Sequence, residues 1–413
     1  MILSICQVLL YFSNFYDSRI QRLSIARLIT LALTLFAGTL AIYFLLFSFF
    51  HNSAPDLDKL FFTISIALLG IFISRVLIDI LILKLNLQKK VLIVGATQES
   101  EKLYKLLKSP ENKRKYKIIG VIDNNMDSYD KGSKINRVIG TMSDLYDIAT
   151  KSKVDHIIIT PLKRGEKNFD PDILLKLKFR GMNLIELPDF YELLTGKILV
   201  ENLRPSWLIF SEGFNISWRT RAMKKISSNL LSLMLCIFMF PILIIIAIAI
   251  KLDSPGPVFY RQDRVGKNSK IFTLYKFRTM FIDAEKDNHP QWASDYDPRI
   301  TRIGRILRKF RLDEIPQIIN IFQGNMNFIG PRPERPYFVE KLKVQIPYYN
   351  LRLTIEPGIT GWAAVKYGYG ATIEDSIQKL QYDLYYIKNM SFTFDMVILF
   401  MTMRVALFGE GAR

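Results

Sequence analysis

Cysteine and histidine are nearly missing from this 413-residue sequence. The two cysteines, Cys6 and Cys236, lie inside apolar runs, and the three histidines, His51, His156 and His289, are far apart. This excludes a disulfide framework, a thiolate metal site and the HExxH pattern of zinc hydrolases. No GxSxG elbow and no Walker A loop occurs either. The chemistry therefore has carboxylates to run on. Even these are the scarcer charge, since 38 Asp and Glu face 56 Lys and Arg for a formal net charge of +18. A balance this basic fits partners with dense negative charge, namely nucleic acid, an anionic membrane surface or phosphorylated substrates.

Long apolar runs, by contrast, are plentiful, and half of all residues are hydrophobic. Such a chain is long enough for two cores plus membrane segments. Residues 25–50 and 60–83 are each apolar enough to cross a ~30 Å hydrocarbon layer as helices, and read as a transmembrane hairpin. The connecting "HNSAPDLDK" carries two aspartates and one lysine. The outer flanks carry Arg19, Arg22 and Arg27, then Lys84, Lys89 and Lys90. By the positive-inside rule both flanks face the cytoplasm. The third apolar segment, 227–250, has basic residues at both ends and Pro241 at its middle. A helix that enters the membrane, bends at Pro241 and returns to the same face satisfies both features. An ordinary third span with a proline kink is the alternative.

Between these segments "KKVLIVGA", "YKIIGVIDNN", "VDHIIIT" and "MNLIELP" read as buried strands separated by amphipathic stretches such as "QESEKLYKLLKS" and "DILLKLKFRG". Alternation of this kind predicts a doubly wound parallel sheet, a Rossmann-like module over 87–200. Gly95 after the first strand and Asp123 after the second sit where a dinucleotide fold holds pyrophosphate and ribose. However, "GATQES" lacks the second and third glycines of GxGxxG, which favours a structural or regulatory module with no cofactor.

Beyond Lys251, "DPRITRIGRILRKFRLDE" sets Ile300, Ile303, Ile306, Leu307 and Phe310 at helical spacing among arginines, with no acid until Asp313. That pattern suits an interfacial helix with its cations near lipid phosphates. A nucleic-acid-binding helix would not need the neighbouring membrane segment. The final apolar stretch, 391–408, is interrupted by Asp395 and Arg404 and reads as lying in the interface. Asp313 and Glu314 stand before Pro316, which is suited to the first turn of a helix through "PQIINIF". Two carboxylates beside a helix N-terminus make sense if a divalent metal and a phosphate share the site; otherwise they are a cap with an exposed ion pair.

The stretches "LDSPGPVFYRQDRVGKNSKIFTLYKFRTM", "DPRITRIGRILRKFRLDEIPQIINIFQGNMNFIGPRPE" and "IEPGITGWAAV" together resemble the bacterial sugar transferases, the monotopic phosphoglycosyl transferases. Order and spacing agree over about 190 residues. The N-terminal hairpin and Rossmann-like module resemble the large, multi-domain branch, and "VENLRPSWLIFSEGF" resembles a subgroup tied to exopolysaccharide export. The resemblance implies an α/β protein with membrane helices. It comprises a membrane region (1–86), the Rossmann-like module (87–200), a linker (201–222) and a catalytic domain (223–413) with a re-entrant helix bent at Pro241. It also implies a bacterial inner-membrane enzyme facing the cytoplasm, which moves a sugar-1-phosphate from a UDP-sugar to undecaprenyl phosphate, with Mg2+ as cofactor. Its partners would be those two substrates and the lipid bilayer, with no nucleic acid; a homodimer and polysaccharide-assembly proteins stay open.

Within that reading Asp313 is the nucleophile, and Glu314 helps hold the metal and assists proton transfer. Lys276, Arg278 and Arg308 are candidate phosphate clamps, and Arg332 in "GPRPE" is the candidate for the nucleotide diphosphate. Thr360 and Trp362 either shape the same cavity or form a packed turn. Two departures stand out: Phe240 precedes Pro241 where many members have serine, and Ala364 replaces a common glutamine. A membrane-anchored NAD(P)-dependent oxidoreductase and a silent assembly scaffold are the rival readings. The first is disfavoured by the broken glycine motif, the second by the intact acid pair.

Overall fold

A computed structural model of the chain describes residues 88–124, 138–160, 171–282 and 297–408, apart from 202, 204, 212, 369 and 371, together with positions 62, 66, 70 and 73. Those four positions aside, the hairpin read at 25–83 lies outside the described residues, as do Cys6, His51 and His289. The chain divides into two compact units, Met1–Phe190 and Tyr191–Arg413.

In the first unit β1 (Lys89–Val94) is the middle strand of a five-stranded sheet. Its neighbours are β2 (Tyr116–Ile122) and β3 (Val138–Gly140) on one side, and β4 (His156–Ile159) and β5 (Asn183–Glu186) on the other. Every pairing is parallel, with Val91 opposite His156 and Ile93 opposite Ile158. Because a central parallel strand is covered on both faces, it reads as an unbroken apolar run, and Val91 to Val94 are fully buried. The crossovers carry α1 (Gln98–Lys108), α2 (Leu145–Ser152) and α3 (Pro171–Phe179). Leu92, Val94, Ile122, Leu145, Ala149, Ile157 and Leu177 form the core. The expected doubly wound sheet is present, with β3 as a short edge strand that no apolar run marks.

The second unit follows α4 (Leu187–Thr195), which spans the boundary, and α5 (Pro205–Phe210). Residues on either side of α5 join its core: Ile198, Val200 and Leu203 are buried with Tyr349, Trp362 and Leu384, and Trp207 and Phe214 pack against them. A single helix, α6 (Trp218–Asp253), contains the whole third apolar segment with Pro241 inside it. Its 36 residues measure about 54 Å along the helix path at 1.5 Å per residue. Among the described residues it is the one helix long and apolar enough to cross a membrane. Leu233, Ile237, Phe238, Phe240 and Ile245 along its middle are exposed.

Both ends of α6 are fastened to the same unit. Near its start, Lys224 pairs with Asp395 (3.1 Å), and Ser228 Oγ accepts from the Phe328 amide (3.2 Å). Near its end, Ile246 and Ile250 pack against Phe277 and Leu307. After α6 come the antiparallel pair β6 (Phe259–Val265) and β7 (Ile271–Phe277), then α7 (Arg302–Lys309), α8 (Ile318–Phe322) and β8 (Asn327–Ile329). The unit closes with α9 (Pro336–Gln345), β9 (Gly358–Thr360) parallel to β8, α10 (Trp362–Lys366), α11 (Ile373–Lys388) and α12 (Phe392–Phe408).

Candidate active site

The opening stretch of basic helix is shorter than its pattern suggests. Thr301 caps α7 by accepting from the Gly304 amide (2.9 Å), and Asp253 accepts from the Ile303 amide (3.1 Å), tying the start of α7 to the end of α6. Gly304 is required by close approach, since a Cβ there would stand 2.1 Å from the Thr279 carbonyl oxygen. Arg311 then adopts a left-handed conformation, φ 54°, and the chain restarts as a 3-10 turn over Leu312–Gln317. Pro316 lies inside this turn and the α-helix begins only at Ile318. The acids thus sit within the turn itself, not ahead of a proline-opened helix, because a proline without its N–H is as well accommodated there as at a helix start.

The turn buries both acids to 7% exposure, where an unpaired carboxylate would be costly. Their cations come from elements far apart in sequence. On β7, side chains alternate between faces, so Lys276 shares its face with Phe272 and Leu274, which pack against Ile321 and Met326 of the segment beginning at α8. That face brings Lys276 Nζ to 3.1 Å from Glu314 Oε1 and 3.8 Å from Asp313 Oδ2. Asn320, fully buried, holds the register by accepting from the Tyr275 amide (3.1 Å) and donating to the Thr273 carbonyl (2.7 Å). Arg332 grips both oxygens of Glu314, through Nη2 on Oε1 and through Nη1 on Oε2 at 3.4 Å. Arg311 Nη1 lies 4.0 Å from Glu314 Oε2.

The two carboxyls are consequently driven apart. Burial pushes Asp313 above the ordinary aspartate range; the Glu314 charge adds to this, while Lys276, Arg308 and Arg332 oppose it. Burial also acts to raise Glu314, but Arg332, Lys276 and Arg311 outweigh it and hold that carboxyl well below the ordinary range. One acid is clamped in its ionised form, and its neighbour is desolvated and more basic. Such a split is what nucleophilic or acid-base work requires.

Of the residues singled out from sequence, Asp313, Glu314, Lys276 and Arg332 come together, and Arg308 on α7 reaches Asp313 through its charge. Arg278 is placed elsewhere. It is buried beneath the end of α6 and donates to the carbonyls of Pro255, Ser254 (2.7 Å) and Ile250 (3.5 Å), closing a helix C-terminus as cations do. Gly256, at φ 123°, makes room for it, since a Cβ there would meet Arg278 Nη1 at 2.1 Å. Thr360 bonds Thr402 (2.8 Å). Trp362 donates to the Gly196 carbonyl (2.7 Å) and packs against Tyr385 and Phe394, so both serve packing. Arg311 and Asn320 were missed. The run "RKFR" hints at the first, but no spacing marks its left-handed backbone.

The turn after β1 in the first unit is already occupied by its own backbone and side chains. The Gly95 amide donates to the Ile122 carbonyl (2.8 Å), the Ala96 amide to Asp123 Oδ2 (2.6 Å) and the Thr97 amide to Ser100 Oγ (2.8 Å). Thr97 in turn caps α1 through the Ser100 amide (3.3 Å). These are the donors that would cradle a diphosphate, and a carboxylate stands among them. The residues present do not fit a dinucleotide diphosphate at this turn.

The second unit thus brings together two buried carboxylates, cations of the kind that bind phosphate, and a long apolar helix fastened to it. Residues 219–409 match the family model described as bacterial sugar transferase, and residues 12–167 match one described as a CoA-binding domain. The chain belongs to the bacterial sugar transferase family. It is 42% identical to a UDP-N-acetylgalactosamine-undecaprenyl-phosphate N-acetylgalactosaminephosphotransferase of Aeromonas hydrophila, over 54% of this chain and 52% of the relative. It is 30% identical to an undecaprenyl-phosphate glucose phosphotransferase of Komagataeibacter xylinus, over 79% of this chain and 60% of that one. It is 45% identical to a putative undecaprenyl-phosphate N-acetylgalactosaminyl 1-phosphate transferase of Bacillus subtilis, over 34% of this chain and 79% of that protein. The chain spans about half the length of the first of these relatives.

Proposed function

We propose that this chain transfers a sugar-1-phosphate from a UDP-sugar to undecaprenyl phosphate, releasing UMP, and so starts a lipid-linked polysaccharide unit. The observation that carries the reading is the unequal setting of two buried neighbouring acids, Glu314 gripped by Arg332 and Lys276 while Asp313 has Lys276 only at 3.8 Å. Arg332 and Lys276 orient the β-phosphoryl group while an Asp313 oxygen attacks its phosphorus. The bond to the bridging oxygen breaks and UMP leaves. The phosphate oxygen of the lipid then attacks the same phosphorus, the bond to Asp313 breaks, and the carboxylate is restored with the diphosphate-linked lipid as product. Burial favours the first step, because a carboxylate poor in hydration attacks more readily.

Among the described residues no group of three or more His, Cys, Asp or Glu could hold a metal by itself. Two carboxylates against Lys276, Arg311 and Arg332 also repel a bare dication. Hard oxygen donors do fit Mg2+ when a diphosphate supplies the remaining ligands, with Asp313 and Glu314 as the protein's share. Bound in this way, Mg2+ neutralises charge on the diphosphate. The re-entrant course of α6 and a cytoplasm-facing inner-membrane location are part of the same proposal. Supporting them, Lys224 and Ser228 before Pro241 and Ile246 and Ile250 after it are all fastened to one unit. The relatives' names differ in their sugars, so the sugar is left general.

The test is incubation with radiolabelled UDP-sugars and undecaprenyl phosphate, followed by lipid extraction and by intact-protein mass measurement without lipid. The expected results are labelled lipid, and a sugar-phosphate adduct that vanishes in Asp313→Asn. Full transfer by Asp313→Asn would refute the mechanism.

A further inference from the structure

Arg332 sits between two prolines, and proline has no N–H to donate, so the Pro331–Pro333 turn has little means of holding itself. It is held from outside, by four consecutive carbonyls. Pro331 accepts from the Gly358 amide (2.9 Å), Arg332 from Arg352 Nη2 (2.9 Å), Pro333 from Arg264 Nη1 (3.0 Å) and Glu334 from the Val265 amide (2.9 Å). Arg352 differs from the other three donors. It lies in the 3-10 turn Tyr349–Leu353, it is 6% exposed, and it touches neither acid of the site. Its guanidinium is spread over three partners: Nε and Nη2 on Asp383 Oδ2 (3.1 and 2.9 Å), Nη1 on the Tyr349 hydroxyl (2.7 Å), and Nη2 again on the Arg332 carbonyl. Asp383 on α11 and Tyr349 are each 2% exposed. Burying an ion pair this deeply costs more hydration than packing alone can justify, whereas a planar fork is suited to fixing the geometry of a turn.

We propose that Arg352, held by Asp383 and Tyr349, is a positioning residue for the transfer reaction, fixing the Pro331–Pro333 turn so that Arg332 stands over Glu314 and the incoming diphosphate. This rests on the transferase reading, and it assigns a role in that reaction to an ion pair outside the acid site. Arg352→Lys keeps the charge opposite Asp383 but, with a single nitrogen, cannot serve three partners in a plane.

Wild type, Arg352→Lys, Arg332→Ala and the double variant are compared as full-length protein in lipid nanodiscs. One readout is UMP release across a panel of UDP-sugars with undecaprenyl phosphate. The other is amide hydrogen exchange in peptides spanning 329–336. Arg352→Lys is expected to speed exchange at 329–336 and to lower kcat/KM about tenfold, the worth of one charge-assisted hydrogen bond. The double variant should be no slower than Arg332→Ala, because Arg352 acts only through Arg332. Multiplying losses in the double variant, or unchanged exchange at 329–336, would overturn the proposal. Should Arg352→Lys not fold, Asp383→Asn takes its place, with the same expected directions and the same two refuting results. A wild type that releases no UMP from any UDP-sugar brings down the transferase reading and the kinetic half of the proposal. The exchange readout then decides the anchor alone.

Discussion

Replacing the two neighbouring acids by their amides should move stability in opposite directions. Glu314→Gln removes the charge that Arg332, Lys276 and Arg311 share. Losing one partner of a buried pair costs about 3–5 kcal/mol, which falls to about 2 kcal/mol here because the Arg332 side chain is 30% exposed and the amide oxygen still accepts one bond. Asp313→Asn instead removes a charge that burial disfavours, and should be neutral or stabilising by up to about 1 kcal/mol. For a unit of this size 1 kcal/mol is worth about 2–4 °C, so Glu314→Gln should melt about 4–8 °C below wild type and Asp313→Asn at or slightly above it.

The pH dependence fixes the sign. Asp313 has a raised folded pKa, so its contribution is present below its ordinary value of 3.8 and is lost as pH rises through the folded value. Glu314 has a depressed folded pKa, so its contribution is present above its ordinary value of 4.5 and is lost as pH falls towards the folded value. Acidification through the folded value of Asp313 should therefore shrink the Asp313→Asn advantage, while the Glu314→Gln deficit stays in place at any pH above 4.5. Intrinsic fluorescence melts of detergent-solubilised, metal-free protein at one scan rate would measure both. An Asp313→Asn protein as destabilised as Glu314→Gln would show that the acids are not split as described.

Three further outcomes are expected. UMP release should fall on the acid side with an apparent pKa above that of an ordinary aspartate, and Arg308→Ala should move that limb to higher pH, since its charge pulls Asp313 down; an unmoved limb would dissociate Arg308 from Asp313. Arg278→Ala should lower stability by about 2–4 kcal/mol, through the orphaned Ser254 and Pro255 carbonyls just past the end of α6, while leaving the KM for UDP-sugar near wild type; a raised KM with unchanged melting would return Arg278 to the phosphate site. In a background without native cysteines, Lys225→Cys and Lys270→Cys should both react with an impermeant thiol reagent from the cytoplasmic side only, and labelling from opposite sides would make α6 a span.

Apolar runs made the parallel sheet legible, because a strand covered on both faces must be apolar throughout, as 91–94 is. The same reasoning loses β3, whose three residues are too few to carry a pattern. Asp313 and Glu314 were legible as scarce acids in a basic stretch, and Lys276 and Arg332 as cations in loops and strands nearby. Where Arg278 would sit was not legible, for a physical reason: a guanidinium serves phosphate oxygens and helix-end carbonyls equally well, and its sequence position does not say which lies above it. Arg352 and Asp383 are separated by 31 residues and join through the fold alone, so no spacing rule could pair them.

The fastening of α6 also has an order in time. Its Lys224 end is held by Tyr386 and Asp395, which follow it by 162 and 171 residues. At about 5–20 residues per second, those partners are made roughly 10–30 s after the helix itself. During that interval the exposed apolar middle of α6 has no folded unit to lean on, and the nascent chain must leave it to the bilayer or to a chaperone. The second unit thus closes by its last-made helices returning onto α6, and a chain cut short before α12 would leave Lys224 without its counter-charge.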